Sequence, residues 1–150
     1  MTILQRALLV ALLIVSSGGA RAELYLLSKM ELTGMTERIA ERIYTGKQLD
    51  YNNKSLTPLN YTPDNPVRQR FLGTVVGKTE AEYIAYWATR RYVGLGTPPE
   101  EVRDRLKMLA LLNSREGALG YIEANSEEVI ELRKKYSVLL IRNAETVTRQ

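Results

Sequence analysis

The chain has 150 residues and a formal net charge of +4, and it contains neither cysteine nor histidine. These absences exclude disulfides, Ser-His-Asp and Cys-His nucleophilic pairs, and zinc sites built on His or Cys. Acidic and basic side chains are interspersed, and the longest basic run is Arg133-Lys134-Lys135, a pattern that gives no indication of nucleic-acid binding. An enzyme that uses only Asp, Glu, Lys, Ser or Tyr is not excluded by composition, but we expect a non-catalytic protein and predict no metal and no cofactor.

The first 22 residues have the features of a cleavable secretory signal peptide. Arg6 supplies the positive charge, and residues 7–15 form an unbroken apolar run. Ala20-Arg21-Ala22 provides an A-x-A cleavage site. The apolar run is about half of the roughly 20 residues that a membrane-spanning helix needs. We predict a soluble periplasmic protein, without a lipid anchor or stable membrane insertion, whose mature part (residues 23–150) is one domain of net charge +2.

Four short apolar runs in the mature part predict strands. They lie at Glu23–Leu27, Leu56–Tyr61, Gly117–Ile122 and Tyr136–Ile141. Pro58, inside the second run, favours either an edge position or the start of a strand. The stretch between Asp50 and Ser55 is polar and is predicted as a loop.

Helix patterns separate these strands. Apolar residues recur at helical spacing from Leu32 to Ile43, and a second helix is predicted to begin at Pro66 behind an Asn65 N-cap. Capping-box spacings predict further helix starts at Thr79 and at Thr97, and Ser126 is expected to cap a charged helix that runs to about Lys135. This alternation predicts an α/β fold, a single lobe-like three-layer domain with a mostly parallel sheet.

The junctions after the first two strands are the candidate ligand sites, because ligands bind beyond the carboxyl ends of the strands in open α/β sheets. The first junction is Ser28-Lys29, and the second runs from Thr62 to Arg68. At the second junction a helix begins, and the free backbone N–H groups and partial positive charge of a helix N-terminus suit an oxyanion. We name Thr62, Asp64, Asn65, Val67 and Arg68 as candidate ligand-binding residues.

Simpler interpretations of these residues stay open. Asn65 is explained more simply as a helix cap, and Arg68 as a solvated surface residue. Asp64 disfavours an anion, because its negative charge lies where the ligand would bind. The stripe of Tyr83, Ile84 and Trp87 on the next helix is interpreted as core packing rather than as a platform for an aromatic ligand.

Six segments occur in the order of motifs known from one protein family. They are Arg42-Ile43-Tyr44-Thr45-Gly46-Lys47, Leu56-Thr57-Pro58-Leu59-Asn60, Pro66-Val67-Arg68-Gln69-Arg70-Phe71, Ala85-Tyr86-Trp87, Gly94-Leu95-Gly96-Thr97-Pro98-Pro99 and Gly117-Ala118-Leu119-Gly120-Tyr121-Ile122. With these motifs the chain resembles the phosphate ABC-transporter substrate-binding proteins of the type 2 periplasmic-binding-protein superfamily. The resemblance implies an α/β lobe that binds a solute and performs no chemistry.

The resemblance also implies where an anion would bind. Members of the family hold phosphate with hydroxyls and N–H groups of a Ser-Gly-Thr-type helix start, and the matching stretch here is Asp64-Asn65-Pro66. The family's serine is missing from this stretch, and Pro66 has no N–H to donate.

Two hypotheses follow. Either the protein binds a small anion such as phosphate at Thr62–Arg68, or it is a degenerate lobe that docks on the ectodomain of a transporter or sensor.

Overall fold

A five-stranded sheet forms the centre of the computed structural model, which describes residues 21–142. Its strands are β1 (Glu23–Ser28), β4 (Thr57–Tyr61), β5 (Glu100–Val102), β6 (Ala118–Ala124) and β7 (Ser137–Leu140). Their order is β5-β4-β6-β1-β7. Strand β4 is parallel to both of its neighbours, whereas β1 is antiparallel to both of its own. Four of the five strands therefore share one direction, and the prediction of a mostly parallel α/β sheet is confirmed.

Five helices connect these strands in the described part of the chain. They are α1 (Glu37–Tyr44), α2 (Pro66–Phe71), α3 (Glu80–Tyr92), α4 (Arg105–Ser114) and α5 (Ser126–Leu132). A π-helical turn, Leu72–Val76, extends α2 and ends at Gly77, whose φ of 68° lies in the left-handed region that suits glycine. The predicted caps at Asn65 and Thr79 are both present, the second as a complete capping box with Glu82.

Two consecutive residues of β6 show how the layers are arranged. Side chains of neighbouring strand residues point to opposite faces of a sheet. A Cβ on Gly120 would lie 2.6 Å from the Met108 sulfur of α4, so this helix packs closely on that face. Tyr121 points to the other face, where its ring stacks on Phe71 of α2 with the ring centroids 3.8 Å apart. Helices therefore cover both faces of the sheet, as a three-layer domain requires.

The region after α3 differs from the sequence-based expectation. A helix was expected to begin at Thr97, but Glu100–Val102 forms the edge strand β5 and pairs in parallel with β4. The helix begins only at Arg105, behind an Asp104 N-cap whose carboxylate accepts a hydrogen bond from the Lys107 N–H. The helix start predicted from the capping-box spacing is wrong because the pairing of β5 with β4, which lies about 40 residues earlier, outweighs a local cap.

The structure corrects two further predictions, the polar loop and the Ser126 cap, and decides between the two alternatives given for Pro58. The predicted polar loop contains a tight hairpin of β2 (Asp50–Tyr51) and β3 (Lys54–Ser55). Pro58 lies near the start of β4, which is an internal strand and not an edge. The cap of α5 is Asn125 rather than Ser126, because Asn125 forms the capping box with Glu128.

Four tyrosines are almost completely buried, namely Tyr44, Tyr61, Tyr83 and Tyr121. Burial raises the pKa of Tyr61 and of Tyr83 to about 12. It also holds the pKa of Tyr44 and of Tyr121 well above the usual value.

We expect these tyrosines to make the folded protein sensitive to alkali. In the unfolded chain a tyrosine loses its proton near pH 10, so above that pH the unfolded state binds fewer protons than the folded state. The free energy of unfolding should therefore not change with pH through these groups near neutral pH, and it should fall as the pH rises from about 10 to about 12. Urea unfolding at a series of pH values checks this, and a stability that is constant or rises over that interval would contradict it.

Two predicted segments lie wholly or largely outside the described residues. They are the signal peptide, of which only Arg21 and Ala22 are described, and the polar tail after Arg142. Among residues 21–142, none of the helices has the length and apolar character needed to cross a membrane.

Candidate ligand-binding site

The predicted site begins where β4 ends and leads directly into α2. The Thr62 N–H donates to the Val102 carbonyl of β5 (3.0 Å), which holds the segment against the sheet. Asn65 caps the helix as expected, since its Oδ1 accepts a hydrogen bond from the Val67 N–H (3.0 Å). The sequence thus placed the helix start correctly.

The backbone donors of this helix start already have acceptors. The Asn65 N–H donates to the Thr62 carbonyl (3.0 Å), and the Arg68 N–H donates to the Asn65 carbonyl (3.1 Å). The Val67 N–H is taken by the Asn65 side chain, and Pro66 has no N–H. None of these three N–H groups is free to bind a ligand in this conformation.

Asp64 lies fully exposed beside the same helix start. The neighbouring Thr62 hydroxyl, and then its own backbone N–H, lower the pKa of Asp64 below its usual value. The carboxylate is therefore negatively charged at neutral pH, and it repels an anion that approaches the segment.

Arg68 is buried and held by two carboxylates, which the sequence did not reveal. Only 3% of its side chain is exposed. Its Nε and Nη2 donate to the two carboxylate oxygens of Glu80 (2.7 and 2.5 Å). Its Nη1 donates to the Tyr61 carbonyl (2.7 Å) and to Glu101 (2.9 Å). The interpretation of Arg68 as a solvated residue is therefore wrong.

These contacts also set the protonation of Arg68. Burial by itself would lower the pKa of the guanidinium, but the hydrogen bonds to Glu80 and to Glu101 outweigh it and raise the pKa. The buried cation thus faces two negative charges, and its charge is compensated before any ligand arrives.

The first junction named from the sequence, Ser28-Lys29, lies at the opposite end of the sheet's strands from Thr62. Because β1 is reversed, its carboxyl end meets the amino end of β6, and Ser28 pairs with Leu119. The Ser28 side chain is fully buried and donates to the Ala118 carbonyl (2.8 Å). The two junctions therefore do not form one site.

A cleft of about 190 Å³ lies next to Arg68, between α3 and the segment that leads into β5. We call it the α3 cleft; its walls include Asn60, Arg68, Tyr83, Trp87, Pro99 and Glu101. Tyr83 and Trp87 are buried, as the core interpretation of their stripe predicted, but Ile84 is 54% exposed and lines the opening. The sequence signal for this cleft was the stripe itself, which alone does not distinguish a cleft wall from core packing.

No group of three or more acidic side chains among residues 21–142 has the arrangement of a metal site.

Comparison with known proteins gives structural matches only. No protein-family model matches the chain, and no curated protein matches it. Three solved structures share its fold. A phosphate ABC transporter substrate-binding protein from Clostridium perfringens with bound phosphate is 15% identical, with a TM-score of 0.54 over 79% of this chain and 53% of that one.

The other two structures have similar statistics. An ABC-type phosphate transport receptor from Vibrio cholerae is 16% identical, with a TM-score of 0.52 over 81% of this chain and 46% of its own. PstS from Borrelia burgdorferi is 12% identical, with a TM-score of 0.57 over 79% of this chain and 46% of its own. The chain thus shares the fold of these phosphate-transport proteins and spans about half of their length.

Proposed function

We propose that the mature chain is a periplasmic, non-catalytic solute-recognition protein. The observation that carries this proposal is the fold, which three proteins of phosphate transport systems share over about half of their length. The A-x-A signal pattern supports export, and the lack of histidine and cysteine supports recognition without catalysis.

The geometry of the Thr62–Arg68 segment disfavours inorganic phosphate as its ligand, so we expect the protein to bind a different solute. Phosphate there would meet a helix start without free N–H donors, the negative charge of Asp64, and an Arg68 already paired with Glu80 and Glu101. Anion binding by Thr62, Asp64, Asn65, Val67 and Arg68 stays a prediction, and it requires the Arg68 ion pairs to open.

Ligand titrations test both the recognition of a solute and the expectation that this solute is not inorganic phosphate. Melting temperatures of the mature protein with a panel of inorganic anions and small organic acids should rise for at least one organic acid, since a ligand that binds only the folded state stabilises it. If no member of the panel raises the melting temperature, solute recognition is contradicted.

Phosphate and sulfate are expected to leave the melting temperature unchanged and to give no saturable heat by calorimetry. Asp64→Asn provides the matched variant, because it removes an exposed charge beside the helix start and spares the buried contacts. Saturable phosphate binding that tightens in Asp64→Asn would overturn our preference and support the predicted anion site.

Docking on a transporter or sensor ectodomain is the second candidate function. It is favoured by three exposed apolar side chains at the end of α3, Tyr92 (92% exposed), Val93 (56%) and Leu95 (56%). A photo-crosslinker at position 92 is expected to capture one periplasmic partner, whereas one at the exposed Arg38 should not. Equal labelling from both positions would contradict docking at this end of the helix.

A further inference from the structure

We propose that the α3 cleft binds a small aromatic acid that carries a hydroxyl or carbonyl oxygen at the end opposite its carboxylate. This inference rests on the proposed solute-recognition function and names the class of solute. The cleft shares Arg68 with the Thr62–Arg68 segment but does not use the N–H groups of that helix start.

The size and lining of the cleft suit a single ring. An engineered apolar cavity of about 150 Å³ accepts benzene, and the α3 cleft measures about 190 Å³. Its walls are mostly apolar, formed by Tyr83, Trp87 and Pro99, with Ile84 at the opening. Two aromatic side chains next to a buried proline form a surface on which a ring can pack.

A buried donor marks one end of the cleft. Asn60 lines it and is only 1% exposed. Its Oδ1 accepts the hydroxyl hydrogen bond of Tyr121, which fixes the amide and leaves Nδ2 as the remaining group. This Nδ2 has no partner among the described residues. Because buried N–H groups are almost always paired, a ligand oxygen is the natural acceptor.

The oxygen that Asn60 binds is expected to be neutral. Glu101 is the register partner of Asn60 on the adjacent strand and also lines the cleft. A carboxylate placed at Asn60 would therefore lie close to the Glu101 charge, which disfavours it. Arg68 does not compensate a second negative charge, because Glu80 and Glu101 already neutralise it.

The carboxylate of the ligand belongs at the opposite end, at the opening. Arg91 lines the cleft from the exposed surface of α3 and forms no ion pair within residues 21–142. A guanidinium in this position donates charge-assisted hydrogen bonds to a carboxylate while both groups remain partly hydrated. The arrangement therefore orders the ligand as neutral oxygen, ring and carboxylate, from Asn60 to Arg91.

The fluorescence of Trp87 provides a direct measurement, because it is the chain's single tryptophan and lines the cleft. We expect 4-hydroxybenzoate to change this fluorescence in a saturable way, with calorimetry giving the same Kd. Benzoate lacks the neutral oxygen and should bind about tenfold more weakly. 4-Hydroxybenzyl alcohol lacks the carboxylate and should bind about fivefold more weakly.

Three variants localise the binding. Arg91→Gln should weaken 4-hydroxybenzoate about fivefold and abolish its advantage over 4-hydroxybenzyl alcohol. Ala88→Leu places a larger side chain at a position that lines the cleft and should abolish binding; Ala85→Leu, an exposed position on the same helix outside the lining, is its control. Asn60→Leu removes the amide donor without adding an acceptor for the ligand hydroxyl, and it should abolish the preference for 4-hydroxybenzoate over benzoate. Arg38→Gln is the matched exposed-arginine control and should bind like the wild type.

The outcomes separate this inference from the proposed function. If another organic acid of the panel raises the melting temperature and 4-hydroxybenzoate leaves Trp87 unchanged, solute recognition stands and this ligand class is wrong. If 4-hydroxybenzoate binds equally to the wild type, Arg91→Gln and Ala88→Leu, its site lies elsewhere and the inference is overturned. If no solute of the panel raises the melting temperature and none of the three aromatic compounds changes the fluorescence, both proposals fail.

Discussion

Replacing Arg68 with alanine is expected to lower the free energy of unfolding by about 3–5 kcal/mol. The side chain is 3% exposed, and its removal deprives the Tyr61 carbonyl, Glu80 and Glu101 of their common donor. Glu80 is itself only 22% exposed, so water replaces the lost hydrogen bonds incompletely. Urea unfolding followed by circular dichroism measures the effect.

Arg70→Ala is the matched control on the same helix. Within residues 21–142 Arg70 forms one ion pair, with Glu123, and both side chains are about one third exposed (34% and 32%). A pair of this kind contributes at most about 1 kcal/mol. If Arg68→Ala costs no more than Arg70→Ala, the buried ion pairs do not stabilise the fold and Arg68 is available for another role.

This expectation changes how the anion site should be tested. From the sequence, Arg68→Ala would simply remove a ligand-binding group. In the structure, Arg68→Ala removes a buried contact between α2, the start of α3 and β5. A loss of binding in this variant would therefore not distinguish a missing ligand-binding group from a destabilised fold. The exposed Asp64 is the more informative position, because its replacement changes the local charge only.

Replacing Gly46 with alanine is expected to cost about 2–5 kcal/mol, for two separate reasons. Gly46 has a φ of 69°, a backbone conformation that residues other than glycine adopt only with strain. A Cβ at this position would also lie 2.6 Å from Cη2 of Trp87, so the indole would have to move. Urea unfolding followed by Trp87 fluorescence reports both the loss of stability and the displacement of the ring.

Gly94→Ala separates the two causes. Gly94 has a similar φ of 75°, but a Cβ there would meet no atom of another part of residues 21–142 within 4 Å. Its replacement should therefore cost only the backbone strain, about 1–2 kcal/mol. If both variants lose the same stability, the contact between Gly46 and Trp87 does not restrict this position.

The candidate site shows how far local patterns extend. Asn65, Pro66 and the capping box of Thr79 with Glu82 were predicted correctly, because each depends on groups within three residues of one another. The partners of Arg68 lie 12 and 33 residues further along the chain. No spacing rule connects residues so far apart. From the sequence, Arg68 could therefore be interpreted either as a ligand-binding residue or as a solvated side chain.

The α3 cleft illustrates the same limit. The stripe of Tyr83, Ile84 and Trp87 correctly indicated a helix face turned toward the interior. Whether such a helix face is covered completely depends on the segment that packs against it, which here is the segment around Pro99 and Glu101. That segment was predicted as a helix start, and its position beside β4 follows only from the pairing of β5.

The sequence by itself determined the fold class, an α/β chain with a mostly parallel sheet, and it excluded sites that need histidine or cysteine. Its export signal stays a prediction. The tertiary structure alone decided that β1 runs against the other strands and that Arg68 is compensated by Glu80 and Glu101. It also decided that Asn60 keeps a donor in a cleft that no group of residues 21–142 accepts. The physical reason is distance along the chain: caps and periodicity act within a few residues, whereas charge compensation and burial are set by groups that meet only when the chain folds.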